Sequence, residues 1–289
     1  MTPSNSYTNF SRNGRSSSER PPVVLSIGGS DPTGGAGIQA DLKTFQHFGV
    51  HGLSVITAIT VQNTRGVIST NSVSAELVEA QLNALSDDIA IDAIKIGMMT
   101  TMEIVDVVAN FVKKHRMPTV LDPILASSNG VGFLDEAALE ALKNTLCPLA
   151  SIVTPNIPEA SALTGVFINS EADMLQAALR LMEAGAQSVL IKGGHAAGPD
   201  ARDLFFDGSE IEWISAPRSA KRVHGTGCVL SSAIASGLAL GMPMREAVQI
   251  AKDFITEMIE QAVPMGRGQD IFQFTSSFAE LKFGATQVL

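Results

Sequence analysis

The segment Val223-His224-Gly225-Thr226-Gly227-Cys228, continuing as Val229-Leu230-Ser231-Ser232-Ala233, has the makings of an anion site. It reads as a glycine turn that enters the first turn of a helix. Glycines at 225 and 227 keep side chains clear of the backbone, so a charged group can approach closely. The first-turn N–H groups, that of Thr226 among them, have no partner inside the helix and point at whatever sits there. A phosphate or a developing oxyanion is the natural occupant. Cys228 stands where the helix dipole favours thiolate over thiol, which makes it a candidate base. A tight turn with a small buried cysteine has the same sequence, so other segments must decide.

Asp122 and Glu159 are acidic residues that could manage a metal, with Asn156 beside the latter. Magnesium (Mg²⁺) in phosphoryl transfer is typically held by one or two carboxylates, waters and the phosphates. Thr154-Pro155-Asn156-Ile157-Pro158-Glu159 is equally what a strand end and a helix cap look like, since Asn commonly caps helices. Lys192 precedes two glycines, where it can neutralise phosphate charge or extend to solvent. Gln62 offers a paired donor and acceptor that suit the edge of an aminopyrimidine, although a polar turn reads the same way. His195 and His224 read as structural or rim residues. A Gly-x-x-x-x-Gly-Lys-Ser/Thr phosphate loop is missing, which excludes that class of nucleotide enzyme.

These residues need a scaffold, and the hydrophobic pattern supplies one. Short apolar runs at 23–27, 54–60, 93–96, 120–121, 151–154 and 188–191 read as strands. An edge strand at 67–73 and a hairpin at 204–206 and 211–214 around Asp207-Gly208 add to them. Helices are expected at 38–48, after Ser74, at 101–114, near Pro158, after Ser170, and from Gly225 and Met244. Leu77, Val78, Leu82 and Leu85 mark the buried face of the helix that Ser74 caps. Repeated strand-then-helix order argues for an α/β fold with a mostly parallel sheet, helices on both faces and a single domain at 23–289. In such a sheet, ligands bind beyond the carboxyl ends of the strands. Gly28-Gly29-Ser30-Asp31, Gly97-Met98, Asp122, Asn156, Glu159 and Lys192 each follow a strand.

Composition narrows the partners. The chain has 289 residues, 45% of them hydrophobic, enough for a sizeable core. The formal net charge of −9, without a Lys/Arg cluster, argues against nucleic acid. No apolar run is long enough for a membrane span. Two cysteines, Cys147 and Cys228, argue against a disulfide framework and fit a reducing cytoplasm. Residues 1–22, rich in Ser, Asn and Arg, are expected to be a disordered N-terminal extension.

Several of these segments together carry a resemblance. They are Gly28-Gly29-Ser30-Asp31-Pro32-Thr33-Gly34-Gly35-Ala36-Gly37-Ile38-Gln39-Ala40-Asp41-Leu42-Lys43, Thr60-Val61-Gln62-Asn63-Thr64-Arg65-Gly66, Lys95-Ile96-Gly97-Met98, Leu121-Asp122-Pro123, Thr154–Ala160, Lys192-Gly193-Gly194-His195 and His224–Cys228. The chain resembles the hydroxymethylpyrimidine/phosphomethylpyrimidine kinases of thiamine biosynthesis, within the ribokinase-like superfamily. The resemblance runs from about Val23 to Gly268. It implies a ribokinase-like fold without a separate lid domain, ATP as phosphoryl donor with Mg²⁺, a small pyrimidine substrate, and a homodimer. It implies that Gln62 hydrogen-bonds the pyrimidine in a pocket with Gly28, Met98 and Asp41. It also implies that Gly225, Gly227 and Cys228 form the anion hole, with Cys228 as candidate base. Lys192, Asn156 and Thr226 meet ATP and its phosphates, and Asp122 and Glu159 serve the metal. The rival activity is pyridoxine/pyridoxal kinase; a non-catalytic vitamin- or nucleotide-binding regulator is a rival of another class. The stretch after Gly268 does not match the family's usual short ending.

Overall fold

The computed structural model describes residues 20–127, 129–195 and 200–274. Residues 1–19 of the expected extension, and 275–289 of the stretch after Gly268, lie outside the described residues. The end of the expected extension is not a tail. Arg20 Nη1 lies 2.7 Å from Asp92 Oδ2, and the Pro22 carbonyl accepts the His51 N–H.

Nine strands form one sheet: β1 (Val23–Ser30), β2 (His51–Asn63), β3 (Gly66–Ser72), β4 (Ala93–Ile96), β5 (Thr119–Leu121), β6 (Ile152–Val153), β7 (Val189–Ile191), β8 (Asp200–Phe206) and β9 (Ile211–Pro217). Their order is β3-β2-β1-β4-β5-β6-β7-β8-β9. The six strands β2, β1, β4, β5, β6 and β7 run parallel, and β3, β8 and β9 close the two edges antiparallel. The central strands are short and apolar because both of their faces are covered. Leu25, Ile27, Ile94 and Ile96 pack on one side against α2 (Ala75–Ser86), α3 (Met102–His115), α5 (Ile157–Thr164) and α6 (Glu171–Glu183). Val24, Ala93 and Val120 pack on the other against α1 (Gly37–His47), α7 (Thr226–Ala239) and α8 (Met244–Gln261).

Several boundaries differ from expectation for local reasons. Strand β2 runs on through Gln62 and Asn63, which pair with Val67 and Gly66 of β3; Gln62 therefore lies in the ladder and not in a turn. In α2, Val78 and Leu82 are buried but Leu77 is 55% exposed, so the apolar face is narrower than four leucine and valine positions suggested. Of a helical stretch at 136–149, the sequence shows only its end at Cys147-Pro148. Asp135 caps α4 (Glu136–Ala141) by accepting the Ala138 N–H. The helix then loosens into a π turn at Leu142–Leu146 and a 3₁₀ turn at Cys147–Leu149. Cys147 is a packed core residue, and burial pushes its thiol up to about 12.

One polar cluster interrupts the α1/α7 side of the core. Lys95 of β4 and Asp41 of α1 form an ion pair with Nζ at 2.9 and 3.0 Å from the two carboxylate oxygens. Both side chains are buried. Ser26 of β1 donates to Oδ2 at 2.6 Å and Ser232 of α7 donates to Oδ1 at 2.8 Å. Burial alone would discharge Lys95, but Asp41 holds its pKa above the ordinary lysine value. A buried pair need not add stability over an apolar pair, but removing one member strands the other charge. Lys95→Met is therefore expected to cost about 3–5 kcal/mol in urea unfolding. Lys95→Met/Asp41→Leu is expected to lose less than the single variant, and an equal or larger loss would show that the charges are stabilising in themselves.

Candidate active site

A cleft of about 1200 Å³ opens at the carboxyl ends of the parallel strands. It brings together residues far apart in the chain, and its floor is where α7 begins. Gly225 takes φ 83° as the N-cap of α7. A side chain there would be strained by that φ and would overlap the Gly35 carbonyl, so the turn leading to the helix requires glycine. The Val229 N–H returns to the Gly225 carbonyl, and the earlier N–H groups of the turn border the cleft. Gly227 lies over an ion pair: a Cβ on it would sit 3.2 Å from both Asp122 Oδ2 and Lys192 Nζ.

That pair is the electrostatic centre of the cleft. Lys192 Nζ is 2.7 Å from Asp122 Oδ1 and 3.9 Å from Glu159 Oε2. Burial lowers the lysine's affinity for its proton, but Asp122 and Glu159 outweigh it and raise the pKa. Asp122 also accepts from Thr154 at 3.3 Å and from Ser231 at 3.5 Å. Burial raises the Glu159 carboxyl, with Asp122 adding to the shift and Lys192 opposing it. The capping reading of Asn156 and Glu159 holds: each side chain accepts the other's backbone N–H at the start of α5, at 2.9 and 2.7 Å. This cap uses Glu159 Oε2.

Asp122 and Glu159 are hard oxygen donors, and among the described residues no group of three His, Cys, Asp or Glu could hold a metal. Two carboxylates beside the N-terminus of α7 are the hard donors that a magnesium ion arriving with phosphates and keeping water ligands would accept.

Gly28, Thr60, Gln62 and Met98 also line the cleft. Met98 packs over Gly28 and Gly29, and its carbonyl accepts from Thr57 at 2.6 Å. Asp41 departs from the expected substrate contact. Its carboxylate is saturated by Lys95, Ser26 and Ser232, so it supports the floor under the cleft and has no lone pair to spare for a ligand.

Two sets of contacts were not read from the sequence, although Asp31 was placed at a strand end. Asp31 gathers donors from Thr33, the Ala36 N–H and His224 Nε2 at 2.8–3.1 Å. Although burial opposes it, hydrogen bonding led by His224 lowers the Asp31 pKa to about 2. His224, taken as a rim residue, thus ties the anion loop to the 31–36 turn. The stretch after Gly268 also joins the site: the His224 N–H donates to the Asp270 carbonyl, and the Gln269 N–H to that of Thr64. Nothing in residue type marks backbone stitching of this kind. His195 keeps its place in a 3₁₀ turn at Gly193–His195.

A profile of the family described as phosphomethylpyrimidine kinase matches residues 31–273. The chain belongs to the phosphomethylpyrimidine kinase family. A hydroxymethylpyrimidine/phosphomethylpyrimidine kinase from Streptomyces coelicolor is 46% identical over 249 residues, covering 86% of this chain and 92% of the relative. The solved phosphomethylpyrimidine kinase from Clostridium difficile 630 is 42% identical with a TM-score of 0.73, covering 82% of this chain and 98% of that one. Pyridoxal kinase from Staphylococcus aureus in complex with pyridoxal is 34% identical with a TM-score of 0.82, covering 89% and 94%. The family's fold is the ribokinase-like α/β fold expected from the sequence.

Cys228 contradicts one expectation. The helix dipole was expected to lower its pKa, but burial raises it to about 11, with Asp41 and Asp122 adding to the shift and Lys95 opposing it. At neutral pH the thiol keeps its proton. A group with so high a pKa becomes nucleophilic only as pH rises toward it. The rate of Cys228 alkylation by iodoacetamide, followed by mass spectrometry of the ligand-free chain, is expected to climb throughout pH 7–10 without a plateau. A plateau near neutrality would mean that the helix dipole wins after all.

Proposed function

We propose that this chain transfers the γ-phosphoryl group of ATP to the hydroxymethyl group of 4-amino-5-hydroxymethyl-2-methylpyrimidine, and then a second one to the resulting monophosphate. The product is the pyrimidine diphosphate used to build thiamine. One observation carries the reading. Gln62, the α7 N-terminus and the Asp122–Lys192 pair border a single cleft.

In this reading Gln62 pairs with the amino-substituted edge of the pyrimidine, between Gly28 and Met98. The hydroxymethyl oxygen then faces Gly225–Cys228. The first-turn N–H groups, including those of Thr226 and Gly227, hold the equatorial oxygens of the transferring group. Lys192 leaves Asp122 to meet the nucleotide phosphates, and Asn156 borders them. When bound, Mg²⁺ supplies charge neutralisation on the phosphates, and Asp122 and Glu159 are the residues that would hold it. With its raised pKa, Cys228 acts through its backbone N–H and its shape, and strong base catalysis is not assigned to it. Phosphoryl transfer is loose and asks mainly for positioning and charge, which this cleft supplies.

The likeness to pyridoxal kinase structures favours a second reading, pyridoxal phosphorylation at the same site. Gln62 favours the aminopyrimidine, because its amide offers both a donor and an acceptor. The two unpaired thiols support a cytoplasmic location. A homodimer is supported by exposed Ile59, Val61 and Ile68 on the β2–β3 ribbon.

Gln62→Met should lower kcat/KM for the pyrimidine by roughly 10- to 100-fold, the effect of about 1–3 kcal/mol for a lost buried partner. The value for pyridoxal should fall much less. An unchanged pyrimidine value would leave Gln62 with a structural role only. Glu159→Gln keeps the shape of the cap and removes the charge. It should weaken use of Mg-ATP far more than calorimetric binding of the pyrimidine alone; equal damage to both would indicate a disturbed α5.

A further inference from the structure

Lys252 is a charged residue inside the apolar stripe of α8, among the buried Val248, Ala251 and Ile255. It is 7% exposed, and Asp203 of β8 is 4% exposed. Lys252 Nζ lies 2.7 Å from Asp203 Oδ2 and 3.3 Å from the Ala201 carbonyl. Neither residue lies in a segment that carries the family resemblance. Withdrawing two charges from water is costly, and their attraction offsets that only in part.

The other carboxylate oxygen shows what the pair does. Asp203 Oδ1 accepts the Gly193 N–H at 2.9 Å. Gly193 directly follows Lys192. On the other side, the Lys192 N–H donates to the Pro155 carbonyl at 2.8 Å. Both peptide planes that flank the Lys192 Cα are therefore fixed, and its ammonium is aimed at Asp122. Gly193 has no room for a side chain, because a Cβ would overlap the Arg202 carbonyl. The backbone of β8 is thus pressed against this loop where the carboxylate grips it.

We propose that Asp203 and Lys252 are positioning residues for Lys192, and that they govern use of the nucleotide and not capture of the pyrimidine. Asp203 orients the Lys192–Gly193 peptide. Lys252 supplies the counter-charge that allows a carboxylate to be buried there. The proposal rests on Lys192 meeting the nucleotide phosphates.

Two double variants of the full chain separate orientation from charge. Asp203→Asn/Lys252→Met removes both charges but keeps a carbonyl oxygen for the Gly193 N–H. Asp203→Leu/Lys252→Met removes the acceptor too. The first is expected to keep KM for ATP within about threefold of the parent, and the second to raise it at least tenfold, as misplacement near the chemistry does. The dissociation constant for the pyrimidine alone, by calorimetry, should stay within about twofold in both. Equal increases in KM in the two variants would overturn the proposal, since charge and not orientation would then matter; so would equal loss of nucleotide and pyrimidine. Should the leucine variant fail to fold, hydrogen exchange in the parent chain still decides. The Gly193 amide should be protected like those of β7, and free exchange there would overturn the proposal. Lys192→Met serves as the control. If it leaves KM for ATP unchanged, the reading of Lys192 has failed. If it raises KM while the leucine variant does not, the positioning role has failed.

Discussion

Lys95 and Asp41 hold β1, β4, α1 and α7 together through a single buried ion pair and the two serines that complete it. The cleft depends on this arrangement. The start of α7 can serve as an anion site only if its first turn is kept at the ends of the central strands. Apolar packing fixes depth well but slides easily along a helix axis. A fully hydrogen-bonded carboxylate does not slide, because any shift strands a charge in the core. The polar cluster therefore sets where the N–H groups of 225–228 stand relative to Asp122 and Met98.

Charge in the cleft is arranged in pairs. Asp122 with Lys192, Asp203 with Lys252, and Asp31 with His224 each place a carboxylate near a nitrogen at 2.7–3.1 Å. An acidic chain can in this way keep an anion site. Asp122 and Asp203 are already countered by lysines, and the helix N-terminus and Lys192 provide the local attraction that a net charge of −9 would otherwise oppose. Burial also explains why Cys228 is a thiol. In a dry floor the dipole's help is smaller than the loss of water, and two neighbouring carboxylates add to that loss.

The architecture was legible in the sequence because each central strand is a short apolar run followed by a helix with its own start signal. Ser74, Thr101, Asn156 and Ser170 cap the helices that they were expected to begin or precede. The stretch at 136–149 showed only its end at Cys147-Pro148, because its helix changes pitch twice, which blurs a 3.6-residue period. At the site, residues that follow strands were found, since the parallel sheet delivers them to one rim. Residues that act from behind were not. Asp41 was placed in the pocket by the resemblance, and its partners Lys95 and Ser232, distant in sequence, gave no sign of its supporting role. Lys252 left a signal, a lone charge on an apolar helical face, but the pattern alone names no partner. The carbonyls of Asp270 and Thr64 left none, since any residue supplies a backbone oxygen.

The stitching of residues 268–271 to the rest has a consequence for the order in which the protein is made. Asp270 pairs with the backbone of Arg222 and His224, Ile271 with Val263, and Gln269 with Thr64. These residues leave the ribosome after every other side chain of the cleft. The sheet and both helical layers can form on the nascent chain before them, but the loop that leads into α7 gains its last supports only when they arrive. Catalytic competence is thus acquired late in synthesis, after the fold that carries it.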